Sequence, residues 1–262
     1  MTFKLSLLLA TVVSYSFLVS SCSSSPTGRQ QVLLFSGSEM SELGAQSFEE
    51  LKKQEKINHN KKTNAYIKCV SNAITNRLGP QRDFDKWEVV VFESNNVNAF
   101  ALPGGKIGVY TGLLKVAKNQ DQLATVIGHE IAHVIAEHGN ERLSRSQITN
   151  IGLELSNLAM QGNEYQSITM AGLGLGVKYG VMMPYGRAQE SESDIMGLRL
   201  MAEAGFDPKQ SVALWENMAK ASGGNQPAEL LSTHPSHSTR INDLLQEIKR
   251  LPSSNVKRQR CQ

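Results

Sequence analysis

Residues 129 to 133 read His129-Glu130-Ile131-Ala132-His133, and this short block constrains the chain more than any other feature of it. On a helix, side chains four positions apart lie one above the other on the same face. Two imidazoles placed in this way can bind one Zn²⁺ ion, and the glutamate between them lies close enough to act on a water bound to the metal. The block therefore predicts a zinc site with hydrolytic chemistry, provided that it lies within a helix.

The residues around the block predict a helix over about 120–138. Asn119 is a good N-cap, and Gln122 three positions later can reach back to it. Apolar residues recur at helical spacing at Leu123, Val126, Ile127, Ile131, Val134 and Ile135. His138 followed by Gly139 is typical of a helix end. The alternative is that the two histidines are ordinary residues of a half-buried helix.

A catalytic zinc usually takes three protein ligands and a water, so two histidines leave the site incomplete. Residues 187–204 predict a second helix, on which Glu190 and Asp194 share a face with apolar residues. Two carboxylates on an apolar face are costly unless they are paired or bind metal. We therefore interpret Glu190 as the third ligand and Asp194 as an acceptor for the other N–H of a ligand histidine, with Glu192 in solvent. The alternative is a fully solvated acidic helix start, favoured by the helix dipole.

Four longer segments carry a more specific pattern than the five-residue block alone. They read NAFALPGGKIGVYTGLL at 98–114, IGHEIAHVIAEHG at 127–139, PYGRAQESESDIMGLRLMAEAGFDP at 184–208 and LLSTHPSHSTRI at 230–241. Together they resemble the gluzincin metallopeptidases of the HtpX and CAAX-prenyl-endopeptidase family, metallopeptidase family 48. Within this family, the chain looks most similar to the branch that contains the periplasmic BepA-like and the mitochondrial OMA-like proteins. The resemblance is to a lipoprotein of that branch.

The resemblance implies a site with one Zn²⁺ per chain and a residue role for each matching position. Its expected members are the ligands His129, His133 and Glu190, the catalytic Glu130 and the supporting Asp194. One departure is Ser193, where relatives commonly carry alanine. Ser193 lies off the ligand face of the predicted helix, so we expect the difference to matter little.

The segment that contains His234 and Arg240 supplies candidates for stabilising the oxyanion that develops during hydrolysis. The resemblance also offers a second role for His234, because in BepA-like relatives a histidine of this motif can occupy the open zinc position and hold the enzyme inactive. A fourth protein ligand would turn a catalytic site into a closed one. The remaining alternative is that His234 lies in a surface loop and that Arg240 forms an ordinary salt bridge.

The N-terminal 21 residues resemble a bacterial lipoprotein signal, with Lys4, an apolar run and small residues before Cys22. This predicts lipidation at Cys22, a tether over 22–35, and a lipid-anchored protein of the bacterial cell envelope, on the outer membrane and facing the periplasm. The alternative is an ordinary secretory signal with an incidental cysteine. Export would place Cys69 and Cys261 in an oxidising compartment, where they could form a disulfide.

The predicted fold class is α+β: a mainly helical zincin-type metalloprotease domain over 36–252, with a small β-sheet or hairpin beside the HExxH helix. Val97–Leu102 and Lys106–Tyr110 flank a Pro-Gly-Gly turn and predict the hairpin. Its edge, Asn98, Ala99, Phe100 and Ala101, could pair with an extended peptide and present a carbonyl to the metal. The alternative is that this edge is covered within the fold. Residues 253–262 predict a solvated basic tail.

These features together predict a zinc-dependent metalloendopeptidase. Its expected substrates are misfolded or stalled cell-envelope proteins, and Glu130 is expected to act as the base. Net charge is only +3, which does not indicate a nucleic-acid partner. The competing interpretation is a chaperone-like outer-membrane assembly factor with a regulated or self-inhibited zinc site, in contact with the outer-membrane assembly machinery.

Overall fold

The computed structural model describes residues 22–79, 86–163, 165–177, 183–221, 234, 238–252 and 256–261. These residues form a mainly helical fold with two small sheets, which confirms the predicted α+β class. The strands are β1 Cys22–Ser24, β2 Gln30–Val32, β3 Glu88–Phe92, β4 Ala99–Leu102 and β5 Lys106–Tyr110. The helices are α1 Gly37–Gln54, α2 Lys61–Thr75, α3 Gln120–Ile135, α4 His138–Ala159, α5 Gln166–Val177, α6 Met183–Glu203, α7 Gln210–Ala221 and α8 Ser238–Arg250, with a 3₁₀ turn at Thr111–Lys115.

The larger sheet has the strand order β3-β5-β4, so β4 is an edge strand. β5 pairs parallel with β3 and antiparallel with β4, as the predicted hairpin requires. Gly104 and Gly105 have φ of 78° and 72°, which glycine adopts without strain and which closes the turn. Gly108 of β5 leaves room for the ring of Phe100, since a β-carbon at Gly108 would clash with that ring.

Helix α3 is the centre of the core, and its residues 121–133 are all buried. It begins at the predicted cap, where the Asn119 side chain accepts a hydrogen bond of 2.9 Å from the Gln122 amide. Its closest neighbour is α6, and two glycines explain how closely the helices approach. A β-carbon at Gly197 would lie 2.7 Å from the His129 nitrogen, and one at Gly128 would lie 2.8 Å from the Gly197 carbonyl oxygen. Glycine at both positions therefore lets the two backbones touch.

The segment expected to be a tether forms a hairpin instead. We call residues 22–32, which comprise β1, the turn and β2, the N-terminal hairpin. Ser25 and Gln31 are buried, and the Gln31 side chain donates a hydrogen bond of 2.6 Å to the Ala136 carbonyl. Arg29 forms ion pairs with Glu141 and Glu192, and these contacts fix the hairpin against α4 and α6.

The C-terminal segment is also packed rather than solvated over residues 256–261. Cys261 is joined to Cys69 of α2 by a disulfide that links positions 192 residues apart. Arg258 forms an ion pair of 3.0 Å with Asp121 in the first turn of α3. The Gln259 amide donates a hydrogen bond of 3.0 Å to the Gly205 carbonyl, so the segment lies across the start of α3 and the end of α6.

Within the described ranges, none of the helices combines the length and the apolar character needed to cross a membrane. The predicted signal over residues 1–21 lies outside the described residues and stays a prediction. Cys22, the predicted lipidation site, begins β1.

Candidate metal centre

Two histidines of α3 and a glutamate of α6 converge in the interior of the fold. The Nε2 atoms of His129 and His133 face each other at 3.1 Å. Oxygens of Glu190 lie 3.3 Å from His129 Nε2 and 3.4 Å from His133 Nε2. The approach of α3 to α6 at Gly128 and Gly197 is what brings the three side chains together.

His234 is the fourth member of this group. Its Nδ1 lies 2.9 Å from Glu190 Oε2 and 3.3 Å from His129 Nε2. One donor atom from each of His129, His133, Glu190 and His234 lies within 4.8 Å of the other three, and all four residues are buried. The structure therefore brings together the three predicted ligands and the histidine proposed as an additional one.

The donor set fits a divalent transition metal such as zinc. Imidazole nitrogen and carboxylate oxygen are ligands that zinc accepts. Two Nε2 atoms that face each other at 3.1 Å cannot both carry a proton, whereas a cation between them would satisfy both lone pairs. The arrangement therefore fits a shared ion, which would replace the hydrogen bond between the two histidines.

Burial and neighbouring charges set the protonation of the ligands. Burial lowers the pKa of His129, but hydrogen bonds and charges from Asp194 and Glu190 outweigh it and raise that pKa to about 9. Burial, together with the positive charge of His129, lowers the pKa of His133. Burial raises the pKa of Glu190, but hydrogen bonds from His129 and His234 outweigh it and hold that pKa far below its usual range. Without a cation, the buried Glu190 charge is therefore balanced by His129.

Glu130 of α3 lines a cavity of about 610 Å³. Its Oε1 is buried without a hydrogen-bond partner among the described residues. The nearest cationic candidate is His234, whose Nε2 lies 3.4 Å from that oxygen. A buried carboxylate oxygen without a donor is costly, and a molecule in the cavity could supply the missing donor.

The same cavity runs along the edge strand β4. Its lining includes residues 98–102 of β4 and its approach, Glu130, His133 and His234 of the metal centre, and Ser23 and Gln31 of the N-terminal hairpin. Within the described residues, β4 pairs only with β5, so its other edge faces this space. The predicted edge at Asn98, Ala99, Phe100 and Ala101 therefore lies beside the candidate metal centre.

Asp194 and Arg240 lie behind the ligands rather than in the cavity. Asp194 Oδ1 lies 3.0 Å from His129 Nδ1, which is the position of an acceptor for the ligand's second N–H. Arg240 donates to both oxygens of Asp194 at 2.6 and 2.7 Å and stacks on Trp215 at 3.9 Å. The buried Arg240 guanidinium does not line the cavity and also lies 3.6 Å from Glu190 Oε2, so its predicted oxyanion role stays a prediction.

Helix α3 ends earlier than predicted, and this places a residue that the sequence did not indicate as functional. Glu137 adopts the left-handed conformation, with φ of 54°, and α4 starts anew at His138. His138 is fully buried, with its Nδ1 2.9 Å from His133 Nδ1. The expected helix over 120–138 with its end at Gly139 is therefore wrong at its C-terminus, because the turn at Glu137 directs His138 back toward the site.

Glu192 is buried and not in solvent as predicted. It lies 3.1 Å from His138 Nε2 and accepts a hydrogen bond of 2.9 Å from Arg29 Nε. The neighbouring Ser193, expected to matter little, is also fully buried, and its hydroxyl lies 3.2 Å from His138 Nδ1. The prediction failed because α4 and the N-terminal hairpin cover the face of α6 opposite the ligands, and nothing in the local pattern indicates that cover.

Most of the chain matches a known protein family. The sequence model of peptidase family M48 matches residues 61–248. This chain belongs to peptidase family M48. The family-48 resemblance is thereby confirmed, whereas its narrower placement in the HtpX, CAAX-prenyl and lipoprotein groups stays a prediction.

Several curated relatives have names that fit this family. The mitochondrial metalloendopeptidase OMA1 of Schizosaccharomyces pombe is 36% identical over 66% of this chain and 49% of its own length. That of Arabidopsis thaliana is 39% identical over 61% of this chain and 31% of its own length. The beta-barrel assembly-enhancing protease of Escherichia coli is 30% identical over 58% of this chain and 32% of its own length. The chain thus spans about half the length, or less, of these M48 relatives.

These relatives also correct one prediction from the sequence. A lipid-anchored protein on the bacterial outer membrane was expected, but the OMA1 relatives from yeasts, plant and cattle are named as mitochondrial proteins. The expected location is therefore wrong on this comparison.

Proposed function

We propose that this M48 chain is a zinc-dependent metalloendopeptidase that hydrolyses peptide bonds of misfolded or stalled proteins. The observation that carries the proposal is the convergence of His129, His133 and Glu190 beside the Glu130 carboxylate, at a strand edge that lines the same cavity. A purely structural metal site has no need of a further carboxylate that faces a cavity. The names of the OMA1 relatives, metalloendopeptidases, support the same activity.

Zinc is the proposed ion, one per chain, on His129, His133 and Glu190. When bound there, it would polarise the scissile carbonyl and lower the pKa of a bound water towards about 7. Asp194 fixes the ring of His129, and Arg240 fixes Asp194 by its two donated hydrogen bonds. These contacts hold the ligand in the tautomer that leaves Nε2 free for the metal.

Glu130 is proposed as the general base. It removes a proton from the attacking water and passes that proton to the leaving amine. Glu130 lines the cavity, where such a water would lie, and its Oε1 makes no hydrogen bond among the described residues, with His234 Nε2 at 3.4 Å. His234 and Arg240 are the oxyanion candidates from the sequence, and of the two only His234 lines the cavity.

The edge strand β4 is proposed to bind the substrate. An extended peptide can add to a free strand edge by main-chain hydrogen bonds, which do not depend on the substrate's sequence. Such binding selects segments that are not already folded. The name of the Escherichia coli relative, an assembly-enhancing protease for beta-barrels, supports substrates that have stalled during assembly.

A second function is favoured by the position of His234. His234 Nδ1 would supply a fourth ligand beside His129, His133 and Glu190. The site as described therefore has no open position for water or substrate. A closed site supports either a self-inhibited enzyme or a chaperone-like assembly factor whose metal is regulatory. We favour the self-inhibited enzyme, because Glu130 and the β4 edge are both in place.

The test compares an unfolded and a folded substrate. The purified zinc-loaded chain is incubated with unfolded casein and with a stable folded protein of similar size. We expect internal cleavage of casein alone, loss of activity with a chelator, and recovery on adding zinc. Release of single N-terminal residues would indicate an aminopeptidase instead. Suppressed aggregation without any cleavage, both by the zinc-loaded chain and by its His234→Ala variant, would indicate the chaperone-like function.

A further inference from the structure

We infer that the N-terminal hairpin is an outer part of the metal centre, in which Arg29 positions the ligand His133 through Glu192 and His138. The inference rests on the proposed zinc site. It assigns Arg29, Glu192 and His138 as positioning residues, which act on the metal only through His133. Four residues from three separate parts of the chain form this relay, and each link is a contact of 3.1 Å or less.

The first link concerns the second nitrogen of His133. A neutral histidine that binds metal through Nε2 carries its proton on Nδ1 and needs an acceptor there. Among the described residues, His138 Nδ1 lies 2.9 Å from this nitrogen, and Arg142 Nη2, which donates to it in the arrangement described, lies 3.1 Å away. A guanidinium has only donors, so Arg142 cannot accept the proton that Nδ1 carries once Nε2 binds the metal. His138 is therefore the acceptor, and it does for His133 what Asp194 does for His129.

The second link follows from the first. If His138 accepts at Nδ1, its own proton is on Nε2, where it must find an acceptor because the ring is fully buried. Glu192 Oε2 lies 3.1 Å from that nitrogen and is an acceptor when ionised. The directions of both hydrogen bonds are therefore fixed by the requirement that His133 leaves Nε2 free for the metal.

The third link holds the buried charge of Glu192. Arg29 Nε donates to Glu192 Oε2 at 2.9 Å, and Thr27 Oγ1 donates to Glu192 Oε1 at 2.5 Å. The two terminal nitrogens of Arg29 donate to Glu141 at 2.8 and 2.7 Å. The planar guanidinium thus bridges two carboxylates, Glu192 of α6 and Glu141 of α4.

The hairpin depends on the same contacts for its own position. Its strands have three residues each, and a two-stranded hairpin of that size is marginally stable on its own. Arg29 therefore has two roles. It fixes the hairpin to the helices, and it holds the Glu192 carboxylate, which orients His138. If Arg29 leaves, Glu192 loses its cation and the ring of His138 loses its fixed direction, so the proton of His133 loses its acceptor.

The test measures zinc affinity of the purified full chain by competition with a chromophoric chelator. Residues that orient a metal ligand typically contribute about 10- to 100-fold to metal affinity. Arg29→Ala and Glu192→Gln are therefore expected to bind zinc at least about tenfold more weakly than the unaltered chain. Arg145→Ala is the matched control, because Arg145 forms an ion pair with the same Glu141 carboxylate from within α4. It is expected to keep the zinc affinity of the unaltered chain.

Variants of His138 separate positioning from general damage to the fold. His138→Asn keeps an acceptor near the place of Nδ1, so it is expected to retain more zinc affinity than His138→Leu, which has none. The melting temperature of each zinc-free variant is measured alongside, and Arg29→Lys replaces Arg29→Ala if the latter fails to fold. Equal zinc affinity for the Arg29, Glu192 and Arg145 variants would overturn this inference alone. An unaltered chain that binds no zinc would overturn the metal site and the inference with it.

Discussion

His234 Nδ1 lies 2.9 Å from Glu190 Oε2, although the two residues are 44 positions apart in the chain. The same nitrogen is 3.3 Å from His129 Nε2, so His234 stands at the fourth corner of the candidate metal centre. Catalytic zinc sites keep one position open for water or substrate. On the proposed function, His234 closes the site in this conformation, and cleavage is expected to require that it move away.

Replacing His234 tests this closure. His234→Ala removes the fourth donor and is expected to raise basal cleavage of unfolded casein several-fold, because the open position becomes accessible. The measurement is the initial rate of casein cleavage at equal zinc content. The double variant with Glu130→Gln is the control and should be silent. A strong loss of activity in His234→Ala would contradict the closure and assign His234 to the oxyanion.

Arg240 is predicted to be a major contributor to stability. It is 2% exposed and donates two hydrogen bonds to Asp194, so Arg240→Ala leaves that buried carboxylate without the guanidinium and with His129 beside it. Breaking a buried ion pair in this way typically costs about 3–5 kcal/mol of unfolding free energy. Urea unfolding of the zinc-free chain measures the loss. Lys56→Ala, which breaks the exposed pair with Glu93, should cost about 1 kcal/mol or less. Equal losses in the two variants would contradict the role given to Arg240.

The disulfide between Cys69 and Cys261 is expected to stabilise the fold by restricting the unfolded chain. The bond closes a loop of 192 residues, and loss of a native disulfide typically costs about 2–5 kcal/mol. Reductant should therefore lower the urea midpoint of the unaltered chain and leave that of Cys69→Ser unchanged. If thiol titration of the unfolded chain gives the same count with and without reductant, the two cysteines are not paired.

The lowered pKa of Glu141 predicts how the free energy of unfolding depends on pH. Burial raises its pKa, but hydrogen bonds from Arg29, Gln189 and Arg145 outweigh burial and lower the pKa to about 2, from an ordinary value of 4.5. A carboxyl whose pKa is lower in the folded state stabilises the fold above its unfolded pKa, and this contribution is lost as pH falls. Glu141→Gln should therefore flatten the loss of stability between pH 4.5 and about 2. Urea unfolding at several pH values measures it, and parallel curves for the two proteins would contradict the assignment.

The parts of the site that follow from short-range pattern could be predicted. The spacing of His129 and His133 on a capped, apolar-periodic helix placed both on one face, and the structure brings them together. The i, i+4 spacing of Glu190 and Asp194 likewise put both carboxylates on the face that meets α3. In each case the helical period alone determines which side chains share a face.

The parts that depend on distant residues could not be predicted. Glu192 was expected in solvent, but Arg29, which pairs with it, lies 163 positions earlier in the chain. Gly139 looked like the end of α3, whereas the left-handed residue is Glu137. Glycine adopts the left-handed conformation at a lower energy cost than other residues. Here the packing of His138 against His133 and Glu192 outweighs that preference.

The most direct test of the central claim is the effect of Glu130→Gln on an open site. The His234→Ala chain is compared with the double variant that also carries Glu130→Gln, with zinc content and casein cleavage measured on both. The account predicts equal zinc content, because Glu130 is not a ligand, and a loss of cleavage of about 10²-fold or more in the double variant. Cleavage that persists in the double variant at equal zinc content would contradict the assignment of Glu130 as the base and of this group as the catalytic site.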